Sequence, residues 1–224
     1  MIRQIRLLAA GALFLSLLPP ALEAQFASPD LQSRKKVVRT VLILPGQANV
    51  VKSGVKGNEP MVEESRALGA GLTTEVTNFM TGVGCTMPPN SFSDANLDQN
   101  PDLKYALADL QDRFDKVWVQ VAKKPKDIRS GRYTMGDEVA NFSPAAEADA
   151  LVFVRGQEAL FTGGKKLLGA LAGAYVPSQA MVMRIAIVDA QSGTVLYVDS
   201  GPPGIVQKDL EKSFKKFGNL KAKK

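Results

Sequence analysis

The sequence predicts an α/β (α+β) domain: a mixed sheet of about four to five strands with helices packed on it, closed by a C-terminal β-hairpin and an amphipathic helix. Three observations carry this. Two short β-branched, apolar runs, VVRTVLIL (37–44) and ALVFV (150–154), are separated by helical patterns. Leu103, Leu107, Leu110, Phe114, Val117 and Val121 recur at steps of four and three, one stripe of a helix. Met181 to Val188, the turn Asp189–Gly193 and Thr194 to Val198 read as two strands joined by a tight connection.

Each element follows from its residues. Arg3 and Arg6, the apolar run Leu7–Leu18, Pro19-Pro20 and Ala21–Ala24 form a three-part secretory signal, with cleavage expected after Ala24. The run falls short of the roughly 20 residues that span a bilayer. No cysteine stands near the cut to carry a lipid anchor. Residues 25–36 are polar and predict a linker. Val37 to Leu44 is a central strand, ended by Pro45-Gly46, and a Gly- and Lys-containing loop runs to Glu59. Pro60 suits the first turn of a helix through Met80, with Glu63 and Glu64 favourably placed beside it. Cys85 to Met87 is a brief strand, and 90–100 a polar loop. Asn100-Pro101-Asp102 starts the long helix, with Trp118 flanking its stripe, and Pro125 ends it. A polar connection (126–132) and a weaker helix (135–147) lead to the strand from Ala150. An insert follows at 161–179. The domain spans 37–206, and 207–224 forms a basic helix with Leu210, Phe214 and Phe217 on one face.

Composition narrows the chemistry. The 224 residues include no histidine, which excludes Ser-His and Cys-His nucleophile systems. The one cysteine, Cys85, makes no internal disulfide; it reads as a small buried hydrophobe, with a reactive thiol as the alternative. The net charge is +6, but from Lys208 onward seven lysines face two acids, so the surplus lies in the tail and the body is neutral. That gives no ground for a nucleic-acid face on the domain.

Three motif-like clusters fail on spacing. Gly163-Gly164-Lys165-Lys166 lacks the glycine and the Ser/Thr of a phosphate loop, since Ala159 and Lys166 occupy those positions. Asp94, Asn96, Asp98 and Asn100 alternate like the first half of a calcium loop, but Gln99 and Tyr105 stand where glycine and an acid are required. Asp109, Asp112 and Asp115 sit with Arg113 and Lys116 on a solvated helix face. No cofactor is implied.

Two segments are candidate contact surfaces. In KKLLGALAGAYV, Lys165, Lys166, Leu167, Leu168, Leu171 and Tyr175 belong to a buried insert helix, a contact with a membrane or partner, or a disordered segment. Lys212, Lys215 and Lys216 lie on the tail helix, which either docks on its own domain or lies on an anionic membrane.

EADALVFVRG (147–156) and VMRIAIVDAQSGTVLYVDSG (182–201) resemble a group of bacterial envelope proteins, the curli-secretion lipoprotein family and the outer-membrane activators of penicillin-binding proteins. The carriers are Ala148, Asp149 and Ala150, then Val188, Asp189, Gly193, Val195 and Leu196; RALGAGLTTEV (66–76) agrees. The resemblance implies a non-catalytic, periplasm-facing module that assembles or regulates envelope machinery through protein partners. The chain departs from it by lacking the lipid-carrying cysteine and the alternating hairpins of pore-forming members. The expectation is therefore an exported interaction protein, periplasmic or secreted, of open oligomeric state. The alternatives are a peripheral membrane protein and, third, a carboxylate- or metal-dependent enzyme.

Overall fold

The computed structural model describes residues 26–89, 92–171 and 177–216. The expected signal peptide, and with it the cleavage site, lies outside these residues. In chain order the elements are β1 (Phe26–Ala27), α1 (Pro29–Gln32), β2 (Val41–Ile43), β3 (Gln47–Gly54), β4 (Gly57–Pro60), α2 (Val62–Gly82), α3 (Asp94–Gln99), α4 (Pro101–Lys123), β5 (Ala150–Phe161), α5 (Gly163–Leu171), β6 (Gln179–Asp189), β7 (Val195–Gly201) and α6 (Pro203–Lys216). Three 3-10 turns, over Pro125–Ser130, Asp137–Asn141 and Ser143–Glu147, join α4 to β5.

The class is the expected one, with a larger sheet: seven strands in the order β1-β7-β6-β5-β3-β4, and β2 also paired with β5. β5 is its spine. Its first residues pair in parallel with β2 and its later ones with β3, while β6 runs antiparallel along nearly its whole length. The β6–β7 hairpin forms as the sequence predicts.

One core layer lies on each face. α4, the 3-10 turns and Leu151, Phe153, Ala186 and Val188 of the sheet pack on one side. α2, α6 and Val152, Val154, Ile185 and Ile187 pack on the other. The alternating sheet residues thus go to opposite layers, as a strand buried on both faces requires.

Several expectations are corrected. The loop after Pro45 is the β3–β4 hairpin. Ile43 pairs with Val152 and Gln47 with Arg155, so the β2–β3 side spends one residue more than β5 across Leu44–Gly46. That bulge reverses which side chains face which layer, so one continuous alternation does not run from Val41 to Gly54. Pro60 closes β4, and α2 begins at Val62. The expected linker starts in the sheet: Phe26 and Ala27 pair with Val198 and Tyr197, and Leu31 is buried. The brief strand at Cys85 reduces to one parallel bridge, Thr40 to Thr86. Residues 94–99 form α3, capped by Ser93, whose hydroxyl accepts the Asn96 amide at 3.3 Å. The helix carries Asn96 and Asp98 out of any calcium-loop geometry; Asp98 instead pairs with Lys104 at 2.7 Å. The weaker helix at 135–147 is two 3-10 turns. On α4 the expected stripe faces the core, and Gln111 and Trp118 are buried beside it, so the covered face is wider than the six apolar residues alone.

Close contact between α2 and the sheet depends on glycine. A Cβ on Gly69 would stand 2.4 Å from the Gly46 carbonyl oxygen, and one on Gly46 2.6 Å from the Gly69 oxygen. Hydroxyls complete the seam. Thr73 Oγ1 accepts the Gly46 amide at 2.7 Å, and Ser65 Oγ accepts the Val50 amide at 2.8 Å.

Candidate interaction surfaces

The aspartates of the two sequence motifs hold the scaffold. Asp149 accepts the Arg39 and Thr40 amides, each at 2.8 Å, and so fixes the entry to β2. Asp189 accepts the Gln191 and Ser192 amides at 2.9 Å and pairs with Lys36 at 2.5 Å. Burial works to raise the Asp189 pKa; Lys36 and the two amides outweigh it, and the net shift is downward. Gly193 has φ +67°, and a Cβ there would meet the Gly136 oxygen at 2.1 Å. Cys85 is buried, and burial, then the Asp149 charge, pushes its thiol up to about 11. It is the small core residue expected, not a nucleophile.

The insert places its leucines in solvent. Leu167, Leu168 and Leu171 of α5 are 62%, 49% and 77% exposed. The β3–β4 turn meets them there: Val55 is exposed, and its Cγ2 lies 3.3 Å from where a Gly164 Cβ would be. Lys165 Nζ donates to Ser53 Oγ and lies 5.2 Å from the Phe161 ring centre, and Lys166 donates to Ser178 at 2.8 Å. The β3–β4 turn adds Lys56, while Lys52 stands opposite Glu59 across the β3–β4 ladder, on the other face of the sheet from Ser53 and Lys165. The result is an apolar tip with Lys165 and Lys166 at its base. Tyr175 lies outside the described residues. Val55 and Lys56 were not singled out in the sequence, because only the hairpin brings them to α5.

The tail helix docks. Val206, Leu210 and Phe214 are buried against the α2 face of the sheet. Lys212 pairs with Asp209 at 3.3 Å and Lys215 with Glu211, in water. Surface pairs of this kind contribute about 0–1 kcal/mol. Phe217 and the Lys216 side chain lie outside the described residues. α6 starts beside Met183 and runs back so that Ser213 comes beside Tyr197, which is level with Ile187. Gln179, where β6 leaves the insert, is eight residues from Ile187 along the strand, roughly 26 Å. Among the described residues, the two candidate surfaces are not brought together.

A cleft of about 890 Å³ lies between α2 and the outer edge of β2, lined by Ile43, Thr73, Thr77, Met87 and Phe92 among others. Its threonine hydroxyls donate to carbonyls one turn back, Thr73 to Gly69 at 2.9 Å and Thr77 to Thr73 at 2.7 Å. Arg66 is the charged residue in its described lining, and it pairs with Glu63 at 2.9 Å. No helix among the described residues is long and apolar enough to cross a membrane.

The sequence matches no protein-family model and no curated protein. Among solved structures, the chain is similar to the crystal structure of lipoprotein GNA1162 from Neisseria meningitidis, 10% identical, with a TM-score of 0.35 over 81% of this chain and 97% of that one.

Proposed function

We propose that this chain is a non-catalytic, exported module of the bacterial cell envelope that acts by contact with a protein partner through its tip. The observation that carries this is the tip itself. Three leucines and a valine stand in water on a helix and a turn, while the two core layers close without them. Leaving such side chains exposed forgoes about 1.5–3 kcal/mol each, a cost that covering them on a partner recovers. The sequence resemblance to envelope accessory proteins and the absence of histidine support the same reading.

A photo-crosslinking residue at position 168, carried by the protein in its own envelope, tests it. A discrete protein adduct is expected there and not from position 105, although Tyr105, on the outer side of α4, is the more exposed of the two. Equal adducts from both positions would overturn the proposal. Lys165 and Lys166 beside the leucines favour a second reading, a peripheral contact with anionic lipid. In that case position 168 yields lipid adducts alone, and the protein floats with phosphatidylglycerol vesicles until Leu167, Leu168 and Leu171 are changed to serine.

A further inference from the structure

Alternation along the strands places Asn49 of β3, Arg155 and Gln157 of β5, and Val182 and Arg184 of β6 on the sheet face that carries α4. α4 covers this face only as far as the two arginines. Arg155 lies 5.0 Å from the Phe114 ring centre and pairs with Asp115 at 2.9 Å, and Arg184 lies 5.8 Å from the Trp118 ring centre. At the far end, Lys165 of α5 reaches the same face at Ser53 and Phe161. Between them Asn49 is exposed, and Gln157 and Val182 are half-buried. This is a trough walled at its ends by two helices. From Arg155 to Phe161 it is roughly 20 Å long, the length of about six extended residues.

Its charge is lopsided. Arg155 and Arg184 stand directly opposite each other across the β5–β6 ladder, an arrangement that like charges disfavour. Among the described residues one carboxylate, Asp115, answers them, and it binds Arg155. Arg184 donates to Gln157 Oε1 at 2.8 Å, one bond from a guanidinium with five donors. Burial lowers the pKa of both arginines, and Asp115 offsets only part of the effect. A bilayer surface is too flat to reach a floor set between two helices. An extended peptide fits, its backbone against the amides of Asn49 and Gln157.

We infer that the trough docks an acidic, extended peptide segment of a protein partner, with carboxylates on Arg184 and Lys165. This rests on the interaction-module reading and adds the surface and the partner's chemistry. Trp118 is the single tryptophan of the chain and touches Arg184, so its fluorescence reports on the site.

The full chain is titrated with an acetylated, amidated Glu-Thr repeat peptide, with the matching Lys-Thr peptide and with phosphatidylglycerol vesicles. The acidic peptide should give a saturable change that weakens with salt. R184Q should weaken binding by about tenfold, the loss of one charge-assisted contact, and R184K should bind more tightly than R184Q. K165Q, at the exposed end of the trough, provides a second variant should R184Q fail to fold, and should also weaken binding. Four results would overturn the inference: equal response to the Lys-Thr peptide, binding unchanged in R184Q or K165Q, no saturable change, or a response to vesicles alone. Crosslinking from position 168 fails or succeeds independently, so loss of the trough is distinguishable from loss of the module reading.

Discussion

Asp199 is buried between β7 and α6 at 3% exposure. It accepts the Ser200 amide at 2.7 Å and the Tyr197 hydroxyl at 3.2 Å, and the charge it feels is the like-signed Asp209. Burial, reinforced by Asp209, pushes its pKa up from 3.8 to about 6, against the two hydrogen bonds. The unfolded carboxyl ionises near 3.8 while the folded one holds its proton to about 6, so this group's contribution is full below that window and is lost as pH rises through it. Asp199→Asn removes the penalty. We expect it to be about 2 kcal/mol more stable than the parent at neutral pH, with little difference at pH 4, in denaturant melts at both values. An Asp199→Asn chain with equal stability gains at both pH values would show that the carboxylate is not the source. Arg184 makes a related point about legibility. It stands out in the sequence as the charged residue of an apolar strand, but its meaning needs the register that sets it opposite Arg155. Residue type was readable, and cross-strand pairing was not.

Elements divide by whether their signal is local. α4 and the β6–β7 hairpin are legible because stripe, turn and alternation lie within one stretch. β1 and β3 are not: two residues make a strand only because β7 is there to pair them, and the bulge at Pro45 interrupts the pattern before β3 begins. The glycine seam of α2 is equally hidden, since it depends on backbone from another element. Gly69→Ala forces a Cβ to 2.4 Å from the Gly46 oxygen, and backbone yields poorly, so a loss of about 1–3 kcal/mol is expected by chemical denaturation. Gly71, two residues along the same helix, has open space around it; Gly71→Ala should gain about 0.5–1 kcal/mol. Opposite signs at these two positions test the packing of α2 on β3 directly. α6 takes the first of the two places its sequence left open, docked on its own domain. Removing it from Lys208 strips Leu210 and Phe214 from the core, about 3–6 kcal/mol at the usual value per side chain. That is a large share of a domain's stability, so such a truncation should melt far below the parent by circular dichroism. Lys212→Gln with Lys215→Gln should leave the melt unchanged, since both lysines make only exposed pairs.

For the whole molecule, the sequence ratio of lysines to acids points to the tail, while the fold gathers a second cationic region that no single stretch announces. Lys56 comes from the β3–β4 turn, Lys165 and Lys166 from a helix more than a hundred residues later, and β3–β5 pairing brings turn and helix to the same end of the sheet. The long β5 and β6 strands carry this region to one end of the sheet, while α6 delivers its lysines toward the other. At roughly 26 Å through a rigid sheet the two are beyond the distance at which exposed charges feel each other at physiological salt. Their effects should therefore be separable. Reversing Lys212 and Lys215 to glutamate should leave both the crosslink from position 168 and the Trp118 titration as in the parent. Reversing Lys165 and Lys166 should depress both, because these residues border the leucines on one side and the trough on the other. If the tail variant depressed the crosslink as strongly as the insert variant, the two ends would be engaging one continuous surface, and the tip alone would not be the contact.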